Sequence, residues 1–154
     1  MNVPEDLAAL LRPRIRTGPE VREQVFPFLT VDVHAFPHVT LLSRAELGVS
    51  DGDGAVLAVI GGTGARANLR RSRTATLVAV GGTVVHSAKV IARLLREEDG
   101  LLGAVLTVEH HKRDSLGIEI APMAFPSTNE VAHLEHWDRH ARVLAALARE
   151  AGDA

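Results

Sequence analysis

Residues 56–80, VLAVIGGTGARANLRRSRTATLVAV, decide between two folds for this chain. The stretch predicts a strand, a glycine-rich loop, an arginine-rich turn and a second strand, and four arginines fall within residues 66–73. The spacing Gly62-x-Gly64-x-x-Ala67 directly after a strand matches the fingerprint of dinucleotide-binding folds. The same stretch also suits an antiparallel barrel whose loop holds an anion. The residues that follow the glycines distinguish the two folds.

The residues after the glycines contradict the dinucleotide-binding interpretation. A parallel β-α-β unit needs a crossover of roughly a dozen residues including its helix, but only residues 67–73 separate the fingerprint from the next strand. The acidic residue expected ~20 positions further on to bind a ribose is missing from TVVHSAKV. No Lys-Ser or Lys-Thr comes after the glycines, which excludes a Walker loop. The barrel interpretation is therefore favoured.

In a barrel, the glycine-rich loop wraps over one end and forms a candidate anion site. Thr63 or Gly64 caps a short helical turn, whose free N–H groups and partial positive charge suit a phosphate. Arg66 adds a charge-assisted hydrogen bond to the same anion. The alternative is a solvated arginine-rich turn held by Asp51 or Asp53, because charge clusters usually lie on the surface.

Length and composition predict one domain, residues 1–154, with an aliphatic core. The formal net charge of -2 provides no basic field for nucleic acid or for an anionic membrane. Because the chain has no cysteine, disulfides, thiolate catalysis and thiolate metal sites are excluded. No leader-like N-terminus and no run of ~20 apolar residues is present, which predicts a cytoplasmic protein without a membrane partner.

The rest of the sequence predicts mainly β structure with flanking helices. The N-terminal segment, residues 1–25, is expected to hold two short helices, at 4–11 and 19–25. Ser43, with Glu46 three residues on, is expected to cap a single helical turn. No crossover helix separates the strands, so they are expected to pair antiparallel in a small barrel over residues 26–125. The expected strands are 28–33 and 38–43 as a hairpin, 56–60, 74–80, 84–94 with clear period-two alternation, 101–111 and 116–125.

Residues 127–150 predict an amphipathic C-terminal helix. Ser127 and Glu130 match an S-x-x-E capping box at its start. Together with the barrel face, the apolar stripe of this helix predicts a dimer. The stripe recurs at helical spacing and comprises Val131, Leu134, Trp137, Ala141, Leu144, Ala145 and Ala148.

Three segments in order resemble the pyridoxamine 5′-phosphate oxidase-like family of flavin-binding split barrels. They are FLTVDVHAFPHVTLLSRAEL, GGTGARANLRRSRTATLVAV and SAKVIARLL. Within the second, Asn68-Leu69-Arg70-Arg71 and Leu77 fill the family's N-L-R-R pattern that enters a strand. VEHHKRDSLGIEIAPMAF is similar to a late strand pair of family members. The resemblance covers roughly residues 26–125.

The resemblance implies a six-stranded antiparallel split barrel that forms a homodimer with FMN at the subunit interface. It also implies an oxidoreductase that acts on a small-molecule substrate. His38, Thr40 and Ser43 then lie on the strand beside the flavin ring and ribityl chain, and Lys89 or Ser87 reaches the ring across the interface. Many relatives have Arg or Lys at the strand positions where this chain has His38 and Ser43.

The same resemblance assigns Thr63, Arg66 and Asn68 to the loop that grips the FMN phosphate. Many relatives have a lysine in this loop where the chain has Ala65. The phosphate therefore depends on Arg66 and on backbone N–H groups, and a deazaflavin coenzyme is the alternative to FMN.

In such a protein the flavin supplies most of the chemistry, and the sequence offers no obvious acid–base pair. His38 is the best candidate for proton transfer because imidazole titrates near neutrality. The alternative is a strand histidine packed against a neighbour, and capping alone explains Ser43. A module that binds a flavin, a deazaflavin or a tetrapyrrole without turnover also fits the scarcity of catalytic residues.

The chain's eight histidines raise a further alternative, a metal-binding protein. His133, His136 and His140 fall within an arc of roughly 60° on the predicted last helix, and His110 and His111 lie in a strand. Such a cluster suits zinc, nickel or iron. The sequence HLEHWDRH lacks the H-E-x-x-H arrangement of zinc hydrolases. Histidines at the edge of a dimer interface are the favoured interpretation, and no metal site is predicted.

Overall fold

The computed structural model describes residues 2–52 and 54–153 and confirms the predicted class, mainly β with flanking helices. The helices are α1 (Glu5–Leu11), α2 (Thr63–Ser72), α3 (Asn129–Leu134) and α4 (Trp137–Asp153). The strands are β1 (Arg22–Gln24), β2 (Phe26–Val31), β3 (Pro37–Leu42), β4 (Leu47–Val49), β5 (Val56–Ile60), β6 (Thr74–Gly81), β7 (Val84–Glu98), β8 (Leu101–Ser115) and β9 (Ala124–Pro126). Within the described ranges, no helix is both long and apolar enough to cross a bilayer.

Seven strands form one antiparallel sheet in the order β3-β2-β6-β7-β8-β5-β4. Its edge strands, β3 and β4, are consecutive in the chain and are joined by residues 43–46 alone. Because neighbouring strands lie about 4.8 Å apart, so short a turn cannot span a flat sheet of this width, and the sheet curls into a half-barrel. The predicted antiparallel split barrel is confirmed, and the predicted hairpin is the β2–β3 pair. The resemblance implies six strands, whereas the sheet has seven, and β4 is not among the strands expected from the sequence.

The residues that form the barrel core alternate with more exposed residues along the strands. Along β7, His86, Ala88, Val90 and Ala92 are buried, and the residues between them are half-buried or exposed. The period-two pattern of this segment is therefore confirmed. From α1, Leu7 and Leu11 enter the same core and are fully buried.

β5 is buried along its whole length because both of its faces are covered. Alternate residues of β5 face the barrel core. Between them, Leu57 packs with Leu147 of α4, and Val59 packs with Val143. Full burial of such a side chain is worth about 1.5–3 kcal/mol, so this seam is sufficient to hold α4 on the outside of the barrel.

The second predicted N-terminal helix, at residues 19–25, is wrong. The chain turns at Gly18, whose carbonyl accepts a hydrogen bond from the Val21 N–H at 3.3 Å, and then forms β1. β1 pairs antiparallel with β9. The Gln24 side chain also exchanges hydrogen bonds of 3.0 and 2.9 Å with the backbone of Val80 in β6. Long-range pairing thus overrides the local helix signal.

The predicted strand at residues 116–125 is also wrong, apart from the start of β9. The preceding strand, β8, is already flanked by β7 and β5, so a chain leaving it finds no free sheet edge. The segment runs over the surface instead, and Leu116, Ile118 and Met123 are exposed.

The predicted C-terminal helix is divided into α3 and α4. His136 adopts a left-handed backbone with φ of 54°, which ends the first helix before the second begins. The N-cap of α3 is Thr128, whose hydroxyl accepts a hydrogen bond from the Val131 N–H at 3.2 Å. Ser127 donates its hydroxyl to the Arg16 carbonyl instead. The capping box predicted at Ser127 is therefore wrong by one residue.

The break at His136 also changes which face of the last helix is buried. A left-handed residue resets the helical phase, so the stripe predicted for one continuous helix does not persist. Leu134, Ala141, Ala145 and Ala148 were predicted in that stripe, but all four are exposed, and Leu144 is half-buried. The buried apolar residues of α4 are Trp137, Val143, Ala146, Leu147 and Ala151.

Candidate functional site

The glycine-rich loop with its arginine-rich turn is in fact a helix of ten residues, α2. Gly62 is its N-cap, and Arg73 ends it with a left-handed φ of 61°. Arg70 and Arg71 lie in the last turn, where positive charge is favourable next to the helix dipole. The segment has too few apolar residues to show a helical period, which explains why the sequence did not reveal it.

The strands on either side of α2 are not parallel neighbours. β5 pairs with β4 and β8, while β6 pairs with β2 and β7, and all of these pairs are antiparallel. The segment is therefore not a β-α-β unit, and the dinucleotide-binding interpretation is excluded by topology.

The N-terminus of α2 lies against β3. A Cβ built on Gly64 would meet the His38 ring at 3.1 Å, and one built on Gly62 would lie 4.0 Å from Thr40 Oγ1. The absence of a side chain at position 64 therefore permits this close approach. The first helical bond of this end runs from the Arg66 N–H to the Gly62 carbonyl at 3.0 Å. The amides before it have no acceptor within the helix, as at every helix start.

Arg66 lies in the first turns of α2 and is held near its start. Its Nη2 lies 3.5 Å from Thr63 Oγ1, and its Nη1 lies 3.5 Å from Glu97 Oε1. Arg70 bonds the same Glu97 carboxylate. Arg66 Nε is buried and has no hydrogen-bond partner among the described residues. Arg66 and Arg70, one helical turn apart, share the single Glu97 carboxylate, so the two guanidinium groups keep a surplus positive charge.

The observed acidic partner differs from the two that the sequence suggested. Asp53 lies outside the described residues, and Asp51 is exposed in a turn. Glu97 lies near the end of the long strand β7, 27 residues from Arg70. No local signal in the sequence links positions so far apart.

Asn68 fixes α2 on the barrel. Its side chain is buried, donates from Nδ2 to Thr30 Oγ1 at 3.0 Å, and accepts from Arg71 Nη2 at 3.1 Å. Thr30 stands opposite His38 in the β2–β3 pair. Both functional groups of the Asn68 amide are thus used within the protein, and they orient the helix over the His38 end of the hairpin.

Lys89 lies on the outer face of the sheet. It is exposed on β7, opposite Thr76 of β6 and His110 of β8. These three residues line an open groove of about 580 Å³, which reaches Val31 and Pro37 at the hairpin. The groove therefore approaches the α2 end of β2 and β3 from the outer side of the sheet.

Ser43 belongs to the other end of β3. Its backbone N–H donates to Glu46 Oε2 at 2.9 Å, and its hydroxyl accepts from the Ala45 N–H at 3.1 Å. These bonds close the 43–46 turn between the two edge strands. The structure thus brings His38, Thr40, Thr63 and Arg66 together, with Asn68 behind them, and leaves Ser43 and Lys89 at separate positions.

The histidines of the last helices do not form one cluster. His133 and His136 are exposed, whereas His140 is buried and bonds through Nδ1 to the His136 carbonyl at 3.0 Å. Within the described part of the chain, a group with ligand atoms all within 4.8 Å is found elsewhere, at Asp6, His86 and His111.

That group is already internally bonded. His86 Nδ1 and His111 Nε2 lie 2.9 Å apart, and their rings are parallel to within 3°. The ring centroids are 5.2 Å apart, a separation that suits two rings joined by an in-plane N–H···N bond rather than a close stack. Both carboxylate oxygens of Asp6 accept from Arg113, at 2.6 and 2.9 Å. The two ring nitrogens therefore face each other instead of a common point.

Mild acid is expected to destabilise the protein through this histidine pair. Burial lowers the pKa of His86 and of His111 below the ordinary 6.5, and the Arg113 charge adds to the effect. The unfolded chain then binds protons that the folded chain does not, so stability is full above pH 6.5 and falls as the pH drops below it. The loss is at most about 1.4 kcal/mol per pH unit for each histidine.

The measurement is the melting temperature between pH 8 and pH 5. Arg113 holds the pKa of Asp6 far below its usual range, so Asp6 stays ionised over this interval. The variant His86→Gln should have a flatter profile than the wild type, and an equally steep profile would contradict the assignment.

Solved structures similar to this chain share its split barrel. Group A Streptococcus HupZ is 14% identical, covers 77% of this chain and 99% of its own, and has a TM-score of 0.54. An F420 reductase is 13% identical over 71% and 98%, with a TM-score of 0.51. HutZ, the heme storage protein of Vibrio cholerae, is 11% identical over 77% and 98%, with a TM-score of 0.51. At these identities the likeness concerns the fold.

No protein-family model matches the sequence, and no curated protein matches it. The comparisons therefore support the fold, and the function is inferred from the geometry of the candidate site.

Proposed function

We propose that the protein is an FMN-binding flavoprotein of the pyridoxamine 5′-phosphate oxidase-like type, an oxidoreductase with a small-molecule substrate. The observation that carries the proposal is the start of α2, where free amides and Arg66 meet beside His38 and Thr40. The similar fold of an F420 reductase supports a flavin-like cofactor. FMN itself, rather than a deazaflavin, is the narrower part of the proposal.

The residues at the start of α2 fit a phosphate. Arg66 Nε is a buried donor without a partner among the described residues, and burying such a donor is costly unless a ligand satisfies it. Glu97 balances only one of the two guanidinium groups beside it. A phosphate at this end would accept from Arg66 and from the amides of residues 63–65, and it would neutralise the remaining charge.

When bound, FMN supplies reversible electron and hydride transfer at its ring. The chain's own residues bind, orient and shield it. Thr40 and Thr63 offer hydroxyls beside the helix start, and Asn68 keeps α2 in register with Thr30. His38 is the titratable side chain next to Gly64, and we assign proton transfer to its imidazole.

We also propose that two copies pair through the outer face of the sheet, next to the edge strand β3 that borders the cofactor site. Val31, Val39, Leu41 and Ile91 are apolar and between 43% and 57% exposed there. Large exposed apolar patches on a soluble protein usually mark an interface, and these side chains are the exposed large apolar residues of this face. Lys89 lies in the groove on the same face, from which it would reach the flavin ring bound by the other copy.

Val39→Asp is expected to convert the dimer to a folded monomer, raising its dissociation constant at least tenfold, because a buried unpaired charge is costly. Sedimentation velocity checks this. Leu134→Asp is the matched control, since Leu134 is 65% exposed on α3, away from this face. A wild-type chain that sediments as a monomer would contradict the dimer.

A tetrapyrrole-binding module is the second candidate function. Its support is the fold shared with HutZ, a heme storage protein, and the position of His110. This histidine is exposed in the groove of the outer face, where an imidazole is available to a heme iron.

The visible absorption spectrum of the purified protein tests the two candidates together. The chromophore released on denaturation is identified by mass spectrometry, and colourless protein is titrated with FMN and with heme. Flavin bands and the FMN mass are expected. A heme spectrum that His110→Ala abolishes would transfer the function to the second candidate.

A further inference from the structure

A second cavity lies at the other end of β3 from α2. It has a volume of about 260 Å³ and opens between the 43–46 turn, β9 and the junction of α3 with α4. Its lining residues are Val25, Leu41, Leu42, Ser43, Glu46, Phe125, Pro126, Val131, Glu135 and Trp137. None of the α2 residues that bind the phosphate in our proposal belongs to this lining.

The walls of the cavity are apolar and aromatic. Trp137 is only 7% exposed and meets Phe125 edge to face, with ring centroids 5.8 Å apart and planes at 61°. Val25 and Leu42 extend the apolar wall. The face of an indole ring attracts cations, most strongly where water is excluded.

The charged groups of this lining are both carboxylates, Glu46 and Glu135. Glu46 Oε2 takes the two hydrogen bonds from Ser43, and Oε1 forms no hydrogen bond within the described residues. Burial raises the pKa of Glu46, and the nearby Glu135 raises it further. The Ser43 hydrogen bonds and His140 act in the opposite direction without cancelling the effect.

The guanidinium of the same turn does not serve as counter-ion to Glu46. Arg44 is in the same turn, but it bonds the buried Glu23 of β1 through Nε at 3.0 Å and through Nη2. His140, on α4, bonds the His136 carbonyl through Nδ1. The cavity thus combines two acidic groups with an aromatic wall and has no lysine or arginine in its described lining.

We propose that this cavity binds a small organic cation, a primary ammonium group on an apolar body. The ammonium lies between the Glu46 and Glu135 carboxylates, and the apolar body packs against Trp137 and Phe125. Anions are repelled by the carboxylates, and neutral molecules gain only the apolar contact. This site is independent of the cofactor site at α2.

The sole tryptophan of the chain reports on the cavity directly. The probe is benzylamine, compared with benzyl alcohol and benzoate, which have similar bodies but are neutral and anionic. Benzylamine should change the Trp137 fluorescence saturably, with benzyl alcohol at least tenfold weaker and benzoate without effect. Equal affinities for benzylamine and benzyl alcohol would overturn the proposal.

Two variants locate the ammonium. Glu46→Gln keeps the shape of the side chain and should weaken benzylamine binding at least tenfold. Glu135 is exposed, so Glu135→Gln carries no risk to folding, and it should weaken benzylamine binding to a smaller extent. Glu130→Gln, on α3 outside the lining, is the control and should bind as wild type. Unchanged affinity in both Glu46→Gln and Glu135→Gln would overturn the assignment.

The pH dependence gives a separate readout. A bound cation favours the ionised form of Glu46, so binding releases a proton wherever the free protein holds Glu46 protonated. Measured between pH 5 and 7.5, benzylamine affinity should therefore be lower at the acidic end in the wild type, and Glu46→Gln should lose this difference. A slope that Glu46→Gln leaves unchanged would count against Glu46 as the titrating group.

Discussion

Glu23→Ala is expected to lower the free energy of unfolding by about 3–5 kcal/mol, the cost of leaving one partner of a buried ion pair alone. Glu23 is fully buried, and the Arg44 side chain that bonds it is 16% exposed. Glu23 Oε1 also accepts from the Arg16 N–H at 3.1 Å. These bonds tie β1 and the segment before it to the turn between the barrel's edge strands.

Thermal and urea unfolding measure this effect, and the melting temperature should fall by on the order of 10 °C. The double variant Glu23→Met with Arg44→Met is the control. Removing both charges leaves neither unpaired, so it should be far closer to wild type than Glu23→Ala. A Glu23→Ala loss below about 1 kcal/mol, the range of surface pairs, would show that the pair is not buried in solution.

Arg66→Ala is expected to weaken FMN binding about 10- to 100-fold, because a charge-assisted hydrogen bond is worth about 1.5–3 kcal/mol. Arg66→Lys keeps the charge but loses the planar guanidinium group. Its FMN affinity should lie between that of the wild type and that of Arg66→Ala. Flavin fluorescence titration measures the affinity. Arg93→Ala, an exposed arginine on β7, should bind FMN as wild type.

Stability separates this binding effect from a folding effect. The Arg66–Glu97 pair is long, at 3.5 Å, and such pairs at partly exposed positions contribute about 0–1 kcal/mol. Arg66→Ala should therefore melt close to wild type. If it binds FMN as tightly as wild type while remaining folded, Arg66 does not hold the phosphate.

The parts of the fold that depend on short-range periodicity were predictable. The alternation along β7 corresponds to a strand with alternating burial, and residues 56–60 form the predicted strand β5. The absence of crossover helices indicated the antiparallel barrel. Such patterns are local, since each residue faces one side of its own strand.

The parts that depend on distant contacts were not predictable. β1 exists because β9 pairs with it, about 100 residues away, and this pairing converts a segment with helix signals into a strand. Glu97 joins Arg66 and Arg70 only after β7 has folded back along the barrel. A charged residue on a long strand gives no sign of its partner.

Some sequence predictions for the last helices were wrong by a residue or two, but the structural consequences were large. Thr128 rather than Ser127 caps α3, because the Ser127 hydroxyl is used by the Arg16 carbonyl. The left-handed His136 then rotates the buried face of α4. The cavity beside Trp137 is lined by residues on both sides of this break, and the sequence alone did not indicate it.

In the function that we propose, the start of α2 holds the phosphate of a flavin. Riboflavin differs from FMN only in lacking that phosphate, so titrating the protein with both flavins isolates the contribution of the phosphate. FMN is expected to bind at least 100-fold more tightly than riboflavin, since a phosphate accepts several charge-assisted bonds of about 1.5–3 kcal/mol each. Equal affinities for the two flavins, or no affinity for either, would contradict it.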